Sequence, residues 1–406
     1  MARSIGVATT ARSDYGVLLP LLRVLREHPG VRLQIYAGGT HFSAINGFSI
    51  GEVEEEFGEC TIRVPCEIKG DGPADLAEAM AEVLAGYGRA FSADRPDILV
   101  VLGDRYDMIP VVLAALPFNI PVAHLSGGEV TEGVIDDAIR HAVTKLSHLH
   151  FPTAQSYGRR IMQLGEEEWR IHVVGEPGLD LFRTMELLPK DEVYGELGLD
   201  PGRPLSLFTY HPETIGYEDA AANIAEILAA ADLMSQTQIL FTHPNSDTGS
   251  LHILEAIRAY VKKRGDCLVV PSLGKRRYFQ FLGHCDCLVG NSSSGIIEAA
   301  TFRLPVVNIG TRQAGRIEPR NVVTTPTRRD AIAEAWGTAL SSQFRAALDG
   351  MENPYGDGLS SARIADILVA APLSRELIRK KFIDRAEAIP VENRMLNGSI
   401  FEGGDP

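Results

Sequence analysis

The chain has 406 residues, enough for two domains of ordinary size, with 45% hydrophobic and 23% charged residues, as in a globular, core-forming protein. Its 39 basic and 53 acidic residues leave a formal charge of −14, which argues against a nucleic-acid binder. A small anionic ligand is not excluded, because a few arginines and helix N-termini can make a locally positive pocket.

Residues Met1–Gly16 contain no apolar signal core. Met108–Gly128 runs 21 residues without a formal charge but carries Pro110, Pro117 and Pro121, so a buried helix followed by a buried strand fits better than a membrane span. Five cysteines, an odd count, point to reduced thiols and a cytoplasmic location. Cys285 and Cys287 have the wrong spacing for a zinc pair.

Short apolar runs alternate with amphipathic stretches. Strands are predicted at Ser4–Thr10, Val31–Tyr36, Asp97–Leu102, Val122–Leu125 and Ile171–Val174. A second series covers Leu205–Thr209, Gln238–Thr242, Cys267–Pro271, Cys287–Val289 and Val306–Ile309. Val, Ile and Leu on both faces mark central parallel strands. Helices are predicted at Tyr15–Glu27, Ala74–Phe91, Val134–Ser147, Asp219–Leu233, Leu251–Lys263, Gly295–Phe302 and Arg329–Leu340. The fold class is therefore α/β, with two Rossmann-like domains around a cleft. The polar stretch Leu187–Pro204 divides them. An N-terminal domain covers 1–187 and a C-terminal one 188–370, followed by a helix and polar tail over 371–406. Glu52, Glu54, Glu55, Glu56 and Glu59 read as a solvated face or loop.

Ligands of open parallel sheets bind outside the carboxyl ends of the strands. After the first strand comes Thr10-Ala-Arg12-Ser-Asp14-Tyr-Gly16, where Asp14 or Ser13 caps a helix; Arg12 is either a solvent residue or part of an anion site. Neither GxGxxG nor a Walker A pattern is present, so neither NAD nor a P-loop nucleotide site is expected. Gly103-Asp104-Arg105 follows another strand, as a structural ion pair or as site chemistry. Ser126-Gly127-Gly128-Glu129 follows the next, and Asp136/Arg140 and Asp137/His141 stand four apart on the helix beyond. These are surface ion pairs, or carboxyl groups placed for proton transfer. His141, His148 and His150 lack the spacing of a zinc site.

In the second half, Tyr210-His211-Pro212-Glu213 and Thr242-His243-Pro244-Asn245 end consecutive strands. Gly290-Asn291-Ser292-Ser293-Ser294-Gly295 joins a strand to a helix, as a serine-rich N-cap or as a set of amides and hydroxyls for a diphosphate; three serines exceed what one cap needs. Glu298 lies one turn in, placed for ribose hydroxyls. Gly310-Thr311-Arg312-Gln313 leads a second cationic loop that ends in Arg316.

Taken together, these motifs resemble the UDP-N-acetylglucosamine 2-epimerase family, from about residue 3 to about residue 370, and more closely its hydrolysing branch. The resemblance implies a glycosyltransferase-B type fold and a UDP-sugar substrate, with no metal or nicotinamide, no nucleic acid and no membrane, in a homo-oligomer of two or four chains. It implies loss of the C2 proton and of UDP to give a 2-acetamidoglycal, then addition of water with C2 inverted. By the match, Asp104 and Asp136 are the acid/base candidates and Glu129 a third, and His211 contacts the diphosphate or assists departure. Arg12, Arg105, Asn245, Ser292, Ser293, Gly295, Glu298 and Arg312 fall at nucleotide-contacting positions. Many relatives carry a glutamate where this chain has Ser126, which points to Glu129 as a substitute or to a different substrate, a 2,4-diacetamido-6-deoxy sugar or a GDP-linked one. A non-hydrolysing epimerase and a glycosyltransferase of the same fold are the alternatives.

Overall fold

The computed structural model describes residues 2–43, 48–66, 72–131, 135–212, 220–244, 250–271 and 273–384. Asn245 and Glu213, two of the motif residues, lie outside them. Twelve strands among the described residues build two parallel six-stranded sheets. The first holds β1 (Arg3–Thr9), β2 (Val31–Ala37), β3 (Thr61–Arg63), β4 (Ile98–Leu102), β5 (Val122–Leu125) and β6 (Leu149–Phe151), in the order β3-β2-β1-β4-β5-β6. The second holds β7 (Leu205–Thr209), β8 (Gln238–Thr242), β9 (Cys267–Val270), β10 (Cys287–Gly290), β11 (Val306–Ile309) and β12 (Val322–Thr325), in the order β12-β11-β10-β7-β8-β9. In each sheet the chain starts in the middle, runs to one edge and returns to the other, so loops diverge at the switch points β1/β4 and β7/β10.

Central strands β4, β5, β7 and β8 are buried along their whole length, which is why they read from sequence as unbroken apolar runs. Three of the four edge strands, β3, β6 and β12, are three or four residues long and were not legible, whereas the fourth, β9, was predicted. In place of the predicted strand Ile171–Val174, β6 forms the edge, and Ile171 adds one isolated bridge to His150. The glutamate cluster lies largely on a helix, Ile50–Phe57, that buries Val53 and Phe57. The predicted helix Gly295–Phe302 is broken into Ser293–Ile296 and Glu298–Thr301. The uncharged stretch from Met108 is the helix Ile109–Ala115 followed by β5, and no helix among the described residues is long and apolar enough to cross a membrane.

The helix Arg12–Glu27 buries Leu18, Leu21, Leu22 and Leu25 against the first sheet. Pro20 inside it has no N–H to give to the carbonyl of Gly16. That carbonyl accepts instead from Lys275 Nζ at 2.8 Å, on the helix Gly274–His284 of the second half.

The chain ends by returning to its start. Ile364, Ala365 and Leu368 of the helix Ser360–Ala370, with Ala371 and Leu377, are buried in the same core as β1 and β2. From sequence the second domain runs through residue 370; the apolar face of this helix belongs to the first core. Buried Arg170 fastens the return by donating to the carbonyls of Leu377, Glu376 and Arg379 at 2.8, 2.8 and 3.2 Å. Beside it Glu166, fully buried, takes Lys145, Lys380 and His150 at 2.5, 2.8 and 3.0 Å.

Burial holds His41, His124 and His148 neutral, with pKa values near 4, 3 and 4. An unfolded histidine takes its proton near pH 6.5, so the unfolded state binds more protons between about pH 6.5 and 4. Asp14, Asp136 and Glu176, all raised by burial, act in the opposite sense, but the histidines lowered by burial, His150 and His172 among them, outnumber them. The melting temperature is therefore expected to fall as pH drops from 7 to 5. Scanning calorimetry across that range checks it, and a flat or rising profile removes the histidines as the cause.

Candidate active site

At the end of β1 the carboxylate of Asp14 folds back to accept from the amides of Thr10 and Ala11 at 2.7 and 2.8 Å. It is the cap that the sequence suggests, at the third helical position. Arg12, two residues earlier, is exposed and pairs with Glu52 at 3.0 Å. At the end of β4 Gly103 takes φ +72° and turns the chain. Arg105 then pairs with buried Asp107 at 3.1 Å, and Asp107 also accepts from Thr10. Asp104 faces the other way and pairs with Arg140.

Arg140 is the hub of this corner. Its side chain is 2% exposed and donates to Asp104, to Asp137 at 3.1 Å, to Thr131 Oγ1 at 3.0 Å and to the carbonyl of Glu129 at 3.1 Å. The helical spacing suggested an Asp136–Arg140 pair; Arg140 turns inward to Asp104 and Asp137 instead. The other spacing-based pair forms, Asp137 with His141 at 3.6 Å. Asp136 is half-buried and forms no ion pair with Arg140. Burial and then the charge of Asp104 push its carboxyl above the ordinary range. His148 and His150 serve the fold, the first accepting from the Val122 amide and the second meeting Glu166.

Beyond β5 the loop is fixed tightly. Ser126 takes φ +58°, and a Cβ on Gly128 would stand 2.4 Å from the carbonyl oxygen of Tyr157. Glu129 is buried, accepts from Thr153 at 3.2 Å and faces Arg316 at 3.5 Å. Arg316 comes from the loop after β11, so the acids of the first sheet meet a cation of the second.

The second sheet gathers its own set. His211 and Asn291 exchange hydrogen bonds, amide to Oδ1 at 2.7 Å and Nδ2 to carbonyl at 2.8 Å. The carbonyl of Asn291 accepts from Arg312 at 3.2 Å and from Gln313 at 2.9 Å. This brings the ends of β7, β10 and β11 together. Gly290 between them has no room for a side chain, since a Cβ would lie 1.9 Å from the Thr209 carbonyl oxygen. Ser292 caps the helix starting at Ser293, accepting from the Ser294 amide at 3.3 Å. Gly295 is buried where a Cβ would meet Val306 at 2.9 Å, so it lets this helix sit on the sheet.

Two residues join these sets and were not picked out as site residues from sequence. Glu176 is buried, and its Oε2 accepts from Ser126 at 3.3 Å. Burial, then Glu129 and Glu298, raise its carboxyl to about 7, against the pull of Lys275. Lys275 is held down by burial, which Glu298 and Glu176 oppose. The signal available for Glu176 was its place after the apolar run Ile171–Val174, at the Gly175-Glu176-Pro177 turn; for Lys275 there was none.

Residues 23–369 match the profile of the family described as UDP-N-acetylglucosamine 2-epimerase. The chain is 34% identical over 381 residues to the UDP-N,N'-diacetylbacillosamine 2-epimerase (hydrolyzing) of Legionella pneumophila, covering 94% of this chain and 99% of that one. It is 33% identical to the GDP/UDP-N,N'-diacetylbacillosamine 2-epimerase (hydrolyzing) of Campylobacter jejuni, covering 84% and 89%. In fold it is similar to the crystal structure of UDP-GlcNAc 2-epimerase from Neisseria meningitidis bound to UDP-GlcNAc, with a TM-score of 0.76 at 16% identity over 91% of this chain and 100% of that one. With two Rossmann-like sheets, a corner of carboxylates facing a cationic loop, and a family match over most of its length, the chain belongs to the UDP-N-acetylglucosamine 2-epimerase family.

Proposed function

We propose that the protein is a hydrolysing 2-epimerase that takes a UDP-linked 2-acetamido sugar and releases UDP and the free sugar inverted at C2. The observation that carries it is the corner around Arg140, where Asp104 and Asp136 stand in different environments at one strand end. Removing a proton from carbon and returning one to the opposite face needs two such groups. Asp104, held on Arg140, is assigned as the base that takes the C2 proton. The C1–O bond to UDP breaks as the C1=C2 bond forms, giving the 2-acetamidoglycal. Water then adds its oxygen to C1 while Asp136 gives its proton to C2; the proton that water loses restores Asp136, and the one Asp104 took from C2 passes to solvent.

UDP is assigned to the second sheet, where His211, Asn291, Ser292, Ser293 and Arg312 surround the turn after β10. A cation and several donors there stabilise the charge of the leaving diphosphate. Glu298 is assigned to the ribose. The relatives named above favour a 2,4-diacetamido-6-deoxy sugar over N-acetylglucosamine, in keeping with Ser126. Five free thiols support a reducing, cytoplasmic setting, and a homo-oligomer is part of the same reading.

Proton NMR in deuterated water with each UDP-sugar tests this. Free sugar carrying deuterium at C2, together with UDP, is the expected result, with faster turnover of the 2,4-diacetamido substrate. A product that keeps its UDP rules out the hydrolysing reaction. For the nucleotide side, Arg312→Ala is expected to weaken UDP binding about 10- to 100-fold, the worth of one charge-assisted hydrogen bond. Calorimetry with UDP measures it, and an unchanged Kd takes Arg312 out of the site.

A further inference from the structure

Glu176 has a place in the molecule that the proposed chemistry does not yet use. It lies on the segment that leaves the first sheet, where the amide of Val174 donates to the Pro152 carbonyl at 3.2 Å. Its own amide donates to the Tyr355 carbonyl at 2.7 Å, and Gly175 is packed so closely that a Cβ would meet Ser360 Oγ at 2.8 Å. The backbone at Glu176 is thus fixed, and the carboxyl has two directions in which to act.

One direction is the acid loop. Oε2 accepts from Ser126 at 3.3 Å, and Ser126 begins the loop that carries Glu129. The other is the second sheet. Oε1 of Glu176 and Nζ of Lys275 flank Gly178, 3.6 and 3.2 Å from the position a Cβ would take there. Lys275 in turn is anchored on the Gly16 carbonyl that Pro20 leaves open. The charged groups facing Glu176 are Glu129 from the loop after β5, Glu298 from the helix Glu298–Thr301, and Lys275 from the helix Gly274–His284.

We infer that Glu176 is a positioning residue that couples the nucleotide side of the site to the acid loop, through Lys275 and Glu298 on one side and Ser126 on the other. The inference rests on the proposed nucleotide-sugar reading. With a proton, the carboxyl adds no charge beside Glu129 and Glu298 and stays with Ser126. Without it, the new negative charge repels both glutamates and draws on Lys275. A diphosphate bound near Glu298 adds negative charge of its own, so it favours the protonated form. Burial and the two facing glutamates already raise the Glu176 carboxyl toward neutral pH, so such a shift moves a fraction of a proton there. UDP binding at pH 7 therefore takes up protons, and turnover falls as pH rises above about 7.

The test compares the parent protein with Glu176→Gln, which keeps the shape and the acceptor for Ser126 but cannot ionise. UDP binding is measured by calorimetry at pH 7 in two buffers of different ionisation enthalpy. Proton uptake in the parent and its loss in the variant is the expected result, with UDP affinity at pH 6 within about threefold. In turnover, the variant's alkaline limb is expected to move up by at least about one pH unit, in kcat more than in KM. Equal proton uptake in the two proteins, or superimposable pH profiles, overturns the inference. So does a variant that loses kcat uniformly at every pH, since that is the mark of a structural role. Calorimetry needs no turnover, so a protein that binds UDP with Glu176-dependent uptake but converts no sugar would count against the proposed reaction and not against Glu176.

Discussion

Asp104→Asn and Asp136→Asn each lower turnover by about 10²- to 10⁴-fold, the usual worth of one acid or base in proton transfer. Both leave UDP binding nearly intact, because the nucleotide is assigned to the ends of β7, β10 and β11 and these carboxyls stand at the other sheet. The two variants are expected to differ in one respect. Asp136 makes no ion pair with Arg140, so its replacement removes chemistry and little else. Asp104 is an acceptor of Arg140, so Asp104→Asn also weakens the corner and lowers the melting temperature. Steady-state rates, UDP affinity and melting temperature on both variants check this. Near-parent turnover in either one withdraws its acid/base role.

Arg140→Met is the second large effect. The guanidinium is 2% exposed and meets two carboxylates, a hydroxyl and a carbonyl. Removing it leaves Asp104 and Asp137, 24% and 29% exposed, with no guanidinium between them, so the loss is expected at or below the lower end of the about 3–5 kcal/mol that breaking a fully buried pair costs. Arg140→Lys is expected to recover less than half of that, since one ammonium on a flexible stem cannot reach four acceptors set out for a planar fork. Urea unfolding measures the loss, and turnover at low temperature separates it from chemistry. A variant as stable as the parent shows that solvent already screens the corner.

How far the sequence foretells these features depends on the range of the contact concerned. Strands such as Ile98–Leu102 are buried on both faces, and an unbroken apolar run records that directly. Leu149–Phe151 is an edge of three residues with a histidine in it, and its membership in the sheet depends on a neighbour 26 residues away, the pairing of Leu149 with Ala123. Asp14 was legible as a cap because its partners are within four residues. Arg12 was left between two readings because its partner, Glu52, comes from another helix. Arg140 misled for a related reason. Helical spacing gives the neighbours along a helix, but the end of β4 lies closer than the next turn, and Asp104 is reached 36 residues back. Glu176 became visible only once the fold had brought Ser126, Lys275 and Glu298 around it.

The return of the C-terminal helix to the first sheet bears on how the protein is made. Leu18, Leu21, Leu22 and Leu25 share a core with Ile364, Ala365 and Leu368. The ribosome therefore releases the first sheet long before the helix that completes its cover. The second sheet lies wholly between residues 205 and 325, and its core closes with Trp336 and Ala339, before the first sheet gains its last helix. Vectorial synthesis ordinarily lets the N-terminal domain fold first. Here the order of completion is reversed. Until residue 377 has emerged, the first half exposes an apolar flank of the kind that chaperones bind. A chain that ends at residue 340 and has left the ribosome should resist protease over the second sheet while the first remains open to it.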